Sequence, residues 1–389
     1  MTRIPSVVRL TSRLHRSLAL GLTALMLFVT LVGCGDSYRP RATGPNEQIT
    51  VVMDSTHWQG PLGEAVRQNV APYVNTLPTP ERMFDLKQVD LTSSLIFDNV
   101  QKRKNVIFVA PLSDSASSNV ASFLRDRLSA DALNAVESGQ TAVVPKPDLW
   151  RASQRIYFIT ASTSDGIIKA LEANGPDIQD TFREIILTRQ QREMFDRGRQ
   201  PALEDTLMAH HDFAVNVQHD YQIAIDTTNF VWLRRILLDS RRSLFVYYKE
   251  NADPSTITPE WIYATRDSLT KRYMQGNVGG YVKVDYRRPL DTENINFLDR
   301  YAFETRGLWY MIEEEEDGSI TQFGGGGPFV NYTFYDQPSG RIYMVDGMVF
   351  APKYDKRDFL RQLEVIARTF RTQQEAQQTE SGPVASRSE

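Results

Sequence analysis

The 389-residue sequence holds a single cysteine, Cys34, and only five histidines. One thiol excludes a disulfide framework, and it equally excludes a cysteine-based zinc cluster. Net positive charge is also missing. The 44 basic and 48 acidic side chains give a formal charge of −4, which argues against a general nucleic-acid binder, whose footprint must neutralise phosphates. Catalytic signatures are absent too: there is no His-Glu-x-x-His and no Gly-x-Ser-x-Gly. The run Gly324-Gly325-Gly326-Gly327 lacks a following Lys-Ser/Thr and leads into a strand pattern, so it is no phosphate loop. What remains is 41% apolar and 24% charged residues, a composition that suits one large or two ordinary domains, each with its own core.

The first residues differ from the rest. Residues 1–33 carry Arg3, Arg9, Arg13 and Arg16 and no acidic residue, and an apolar run, Ser17–Val32, ends at Gly33-Cys34. A basic start, a short apolar run and a small residue at its end describe a secretory signal peptide. The run falls short of the roughly 20 residues of a comfortable transmembrane helix, although a signal anchor with Arg16 snorkelling is the alternative. Leu31-Val32-Gly33-Cys34 resembles the bacterial lipobox, whose cysteine takes a diacylglyceryl group and becomes the new N-terminus. Cys34 is therefore the expected lipidation site, with acyl chains such as palmitate holding the protein on a membrane of the bacterial cell envelope, the outer membrane being the expected one. Two acyl chains suffice for stable anchoring. Loss of the four leader arginines leaves 40 basic against 48 acidic side chains, a charge of −8.

Residues 34–46, polar and rich in glycine and proline, read as a tether. Patterning then divides the chain into a lobe over 47–211, a second over 212–371 and a disordered tail over 372–389. Ile49–Met53, Phe84–Val89, Leu95–Val100, Asn105–Ala110 and Arg155–Ile159 read as strands. Gly60-Pro61 opens a helix, and Gly175-Pro176 is expected to break another. Beyond Asp212, Phe213–Val217 and Tyr221–Ile225 suggest a hairpin, and Phe359 to Phe370 form an amphipathic helix. The expected fold is α+β, mostly antiparallel sheets with flanking helices. A distant relation between the two lobes is left open against chance likeness, because residues 91–112 and 227–249 each run from an apolar stretch through a basic link to a strong strand.

Chemistry is thin. The histidines beyond the leader are His57, His210, His211 and His219. His210-His211-Asp212 is the one cluster of metal-ligating types, but neighbours on a strand point to opposite faces and would not converge on an ion. Neither a catalytic residue, a metal nor a cofactor is assigned. Glu313–Asp317 reads as a solvated hairpin tip. The expected interaction surface is Gly307, Trp309, Gly325, Gly326 and Phe329, where side-chain-free backbone permits close approach between aromatic strands. The partners expected are the membrane, through the anchor, and other envelope proteins.

Phe230-Val231-Trp232-Leu233, Arg306-Gly307-Leu308-Trp309, Gly327-Pro328-Phe329-Val330 and Asp346-Gly347-Met348-Val349-Phe350-Ala351-Pro352, followed by Lys356-Arg357, form a recognisable set. With the lipobox, they resemble the bacterial envelope lipoprotein family catalogued as domain of unknown function 4837. The resemblance spans nearly all of the chain beyond the leader and implies lipoprotein status without a reaction. A non-enzymatic binding or structural role is expected; the alternative is a periplasmic enzyme with a histidine- or carboxylate-based site.

Overall fold

The computed structural model describes residues 39–196, 198–276 and 279–381. The leader, Cys34 and the first residues of the tether lie outside them. Strand β1 (Gln48–Val52) leads through a single turn, α1 (Ser55–Trp58), into α2 (Pro61–Val70). Pro61 takes the first turn of α2, where its missing N–H costs nothing. Strand β2 (Asp85–Val89), helix α3 (Ser94–Val100), strand β3 (Asn105–Val109), helices α4 (Asn119–Arg127) and α5 (Ala130–Glu137), then β4 (Val143–Pro145) and β5 (Arg155–Ile159) follow.

In space these strands run β2-β1-β3-β5-β4, and β4 alone is antiparallel. The chain is α+β, but this first sheet is mostly parallel, against the expected antiparallel pairing. Helices carry the chain across the sheet between parallel neighbours, which hairpins cannot do. Both faces are therefore covered, and β3 (NVIFV) is buried at every position. Val51, Ile107 and Ile159 pack on one face, and Val52, Val106 and Phe158 on the other. Leu95–Val100, expected as a strand, lies in helix α3. Its apolar Ile96, Phe97 and Val100 recur at helical spacing, and Ser93 Oγ accepts from the Ile96 N–H at 3.4 Å as an N-cap.

Helix α6 (Ser164–Phe195) runs for 32 residues through Gly175-Pro176, where a break is expected. Pro176 removes one backbone hydrogen bond. Ile167 and Leu171 before it and Ile178, Phe182 and Ile186 after it are buried in a single core, so an unbroken helix keeps one apolar face. Gly175 serves the contact with α2: a Cβ there would stand 2.9 Å from the Asn69 carbonyl oxygen. Further along, Leu187 and Met194 enter the core of the second lobe.

That lobe begins with α7 (Pro201–His211), whose Leu203 and Leu207 pack with it. Strands β6 (Phe213–Ala214), β7 (Gln222–Asp226), β8 (Phe230–Leu237) and β9 (Ser240–Lys249) follow, then α8 (Pro259–Tyr273). Next come β10 (Tyr281–Val284), β11 (Asp291–Phe297), β12 (Arg300–Glu314), β13 (Ile320–Asp336), β14 (Arg341–Phe350) and α9 (Arg357–Ala367). The antiparallel order is β10-β12-β13-β14-β9-β8-β7, with β11 also on β12. Residues 213–217 and 221–225 do not form the expected hairpin. Strand β7 pairs with β8, while β6 pairs with β15 (Arg371–Thr372) from the far end of the chain. The expected disordered tail starts as structure too. In α10 (Gln373–Ser381), Glu375 accepts from the Thr372 N–H at 2.8 Å and salt-bridges Arg300 at 2.7 Å. The lobes are not repeats: residues 91–112 hold helix α3 and a parallel strand, whereas 227–249 hold an antiparallel hairpin.

Asp346 and Gly347 pin this sheet between its helices. A Cβ on Gly347 would lie 2.8 Å from Leu363 Cβ, so glycine lets α9 settle on one face. Asp346 faces α8, where it accepts from Arg266 Nε at 2.8 Å and Asn331 Nδ2 at 2.9 Å. Arg266, 1% exposed, also lies 3.8 Å above the Phe329 ring. Removing one partner of a buried ion pair strands the other charge. Asp346→Ala is expected to cost about 3–5 kcal/mol in urea unfolding, and Arg266→Met combined with Asp346→Leu to cost clearly less. Equal losses in the single and double variants would show that the pair is not what holds α8.

Candidate functional site

Strands present every second residue to one face. On the α8 face this places Trp232, Arg234 and Ile236 of β8, Arg241 and Ser243 of β9, Trp309 and Met311 of β12, and Met348 and Phe350 of β14 around one groove. Met274 and Val282 close its end, and Gly324 and Gly325 of β13 form part of its wall. Its volume is about 410 Å³, within the usual range of small-molecule pockets. The lining is mostly apolar, and the buried indole N–H groups of Trp232 and Trp309 find no hydrogen-bond partner among the described residues. Arginine supplies the positive charge: the Arg234 guanidinium lies 5.0 Å above the Trp232 ring and that of Arg241 5.9 Å above Phe350.

The groove takes two of the five surface residues expected from sequence, Trp309 and Gly325. A Cβ on Gly325 would meet only the side chains of Met311, at 3.3 Å, and Phe350, at 3.8 Å. Gly326 and Gly327 answer to backbone instead, since a Cβ would stand 2.9 Å from the Trp309 carbonyl oxygen and 1.9 Å from that of Val349. Gly307 is covered by Leu290 and Phe329, and Phe329 is fully buried under Arg266. Trp232, Met348 and Phe350 escaped the sequence reading; the alternation Trp232-x-Arg234-x-Ile236 was the available signal.

On the opposite face, a cleft of about 720 Å³ opens between the lobes. Arg183 of α6, Glu304 and Arg306 of β12 and Glu364 of α9 form a buried tetrad in its wall. Arg183 Nη2 lies 3.0 Å from Glu304 and 3.1 Å from Glu364, and Arg306 Nη1 lies 2.9 Å from Glu364. Arg306 Nε also donates to Glu304. Burial opposes ionisation of both carboxyls, but Arg306 and Arg183 outweigh it, taking Glu304 down to about 2 and Glu364 well below its ordinary value. Neither is poised as a general acid. His57 Nε2 pairs with Asp114 at 2.8 Å beyond the carboxyl ends of the parallel strands.

His210 and His211 correct the sequence reading. They lie not on a strand but in the last turn of α7, and both imidazoles turn to Asp226 at the end of β7. His210 Nδ1 is 3.1 Å from one carboxylate oxygen and His211 Nε2 is 2.7 Å from the other. Burial works against ionisation of Asp226, yet the two imidazole contacts hold its carboxyl below the ordinary value.

Residues 200–369 match the family described as Domain of unknown function (DUF4837), and residues 42–195 match a second, Domain of unknown function (DUF8532). The first resemblance thus covers the second lobe rather than nearly all of the chain beyond the leader. No curated protein matches the sequence. Among solved structures, the Ran-binding protein Mog1p of Saccharomyces cerevisiae is similar at 10% identity and a TM-score of 0.28, over 42% of this chain and 90% of its own. Human StAR-related lipid transfer protein 5 is similar at 10% identity and a TM-score of 0.14, over 50% of this chain and 99% of its own.

The tetrad sets an acid limit on stability. A carboxyl whose pKa in the fold lies below its ordinary 4.5 contributes stability above that value and loses it as pH falls through the folded one. Unfolding midpoints should therefore drop steeply from about pH 4.5 towards pH 2. Glu304→Gln should lower the midpoint at pH 7 and flatten that slope. An unchanged slope would remove Glu304 from the acid limb.

Proposed function

We propose that this chain is a non-enzymatic binding protein of the bacterial envelope, held on the membrane by acyl chains on Cys34, whose groove receives the apolar body of an amphipathic ligand. The observation that carries the reading is a groove of about 410 Å³ walled by Trp232, Trp309, Met311, Met348 and Phe350, with the exposed Arg234 and Arg241 beside them. An apolar chain would cover the indole, thioether and phenyl surfaces of the groove, and Arg234 and Arg241 favour a carboxylate at the rim. Methionines adapt to a chain of variable shape. The catalytic alternative draws little from the cleft, whose Glu304 and Glu364 are tied to arginines. The leader and Leu31-Val32-Gly33-Cys34 support the envelope location.

Titration with cis-parinaric acid, read by energy transfer from tryptophan, tests the groove. Gly325→Leu projects a side chain into it and should weaken binding about tenfold or more, the weight of roughly 1.4 kcal/mol, without moving the unfolding midpoint. Equal affinity in a stable variant would dismiss the groove. The anchor is tested separately: Cys34→Ala should leave the membrane fraction or retain its leader. Unchanged processing and fractionation would dismiss lipidation at Cys34.

A further inference from the structure

The chemistry of one hydrogen-bond chain singles out the His210–His211–Asp226 cluster. Tyr248 Oη donates its only proton to the Thr228 carbonyl oxygen at 2.5 Å. Towards His211 the hydroxyl must therefore accept, and His211 Nδ1, 3.2 Å away, carries the hydrogen. That leaves His211 Nε2 with its lone pair aimed at Asp226 Oδ1, 2.7 Å away. Two acceptors at this separation repel unless positive charge lies between them. Either the ring holds a second proton or a metal ion belongs there. A second proton on the buried ring satisfies the His211 contact, and an ion between the ligands satisfies it as well. His210 Nδ1 converges on the other oxygen of the same carboxylate, which brings a second imidazole nitrogen to the place a cation would occupy.

We propose that His210 Nδ1, His211 Nε2 and Asp226 form a three-ligand site for a divalent transition ion of the zinc class, with water completing the tetrahedron. The donor set fits: two imidazoles and one carboxylate are borderline ligands that suit zinc and leave an open position. The spacing fits as well. All three ligand atoms lie within 4.8 Å of one another, whereas bonds of about 2.0–2.1 Å in a tetrahedron place ligands about 3.3 Å apart. Reaching that geometry takes sub-ångström spreading of the His211–Asp226 contact and a swing of His210, whose side chain is 59% exposed, by up to about 1.5 Å. The chain from His211 Nδ1 through Tyr248 to Thr228 fixes the ring and its tautomer, as partners behind metal-binding histidines commonly do. Both histidines sit in the last turn of α7, the negative end of its dipole, which favours a cation. The site has no shared residue with the groove, and each stands without the other.

The full mature chain, detergent-solubilised, stripped with a chelator and carrying no polyhistidine tag, would be titrated with zinc alone by calorimetry. One equivalent should bind saturably, and cobalt(II) in its place should give the visible absorption of a four-coordinate ion. His210→Ala, at an exposed position, should abolish the stoichiometric event while retaining the unfolding midpoint of the stripped protein, and Asp226→Asn should abolish it too. Tyr248→Phe should keep the stoichiometry and weaken zinc about tenfold. Absence of saturable one-to-one binding, or binding unchanged in His210→Ala and Asp226→Asn, would overturn the site and leave an imidazolium–aspartate pair.

Discussion

The alternation Arg183–Glu304–Arg306–Glu364 ties three elements that no sequence neighbourhood relates: α6 from the first lobe, β12 from the second sheet and α9 near the end of the chain. Each ion would be costly to bury alone, so each demands the other three in place, and the junction of the lobes has one arrangement rather than several. Arg306 Nη2 and Tyr332 Oη are buried without partners among the described residues, which argues that the network selects geometry more than it adds stability. Glu81 reinforces the joint from the first lobe by accepting the backbone N–H groups of Lys356 and Arg357 at 2.9–3.0 Å, capping α9 where its dipole welcomes a carboxylate.

Strand β12 connects this junction to the groove. Glu304 and Arg306 point to the α9 side, while Trp309 and Met311 point to the α8 side, so one strand carries ions on one face and an apolar wall on the other. The bulge between Tyr310 and Ile312 lets the glycine run of β13 draw in against Trp309. The motif Asp346-Gly347 works in the same two-faced way, with the carboxylate under α8 and the missing side chain under α9.

Patterns confined to one element were legible in the sequence. Pro61 and the stripe of α9 each mark their helix. Long-range partners were not legible. Parallel pairing of β1 with β2 and β3 depends on which helices cover the sheet, and an apolar run such as Ile96–Phe97 fits strand or helix alike. Pro176 looked like an end because local propensity ignores the apolar face that continues beyond it. The histidine pair was misplaced for a related reason: its meaning rests on Asp226, 15 residues away on a strand that pairs with β8. Trp309 and Gly325 could be singled out because aromatic strands beside glycines are visible locally, whereas the other residues lining the groove come from β8, β9 and β14.

Helix α6 begins in one core and ends in the other, and this gives the chain a direction of assembly. The first lobe can close its sheet around Ile167, Leu171, Ile178 and Phe182 as soon as it is made. Leu187 and Met194 then lie uncovered, and Arg183 has no carboxylate, until more than a hundred further residues bring β12 and α9. A chain emerging N-terminus first thus carries a half-dressed helix as its docking template, and the second lobe finishes by folding onto it. The two segments that match separate families are, for this reason, not separable pieces: cutting between 195 and 200 leaves one part with a bare apolar rod and the other with two buried carboxylates short of an arginine.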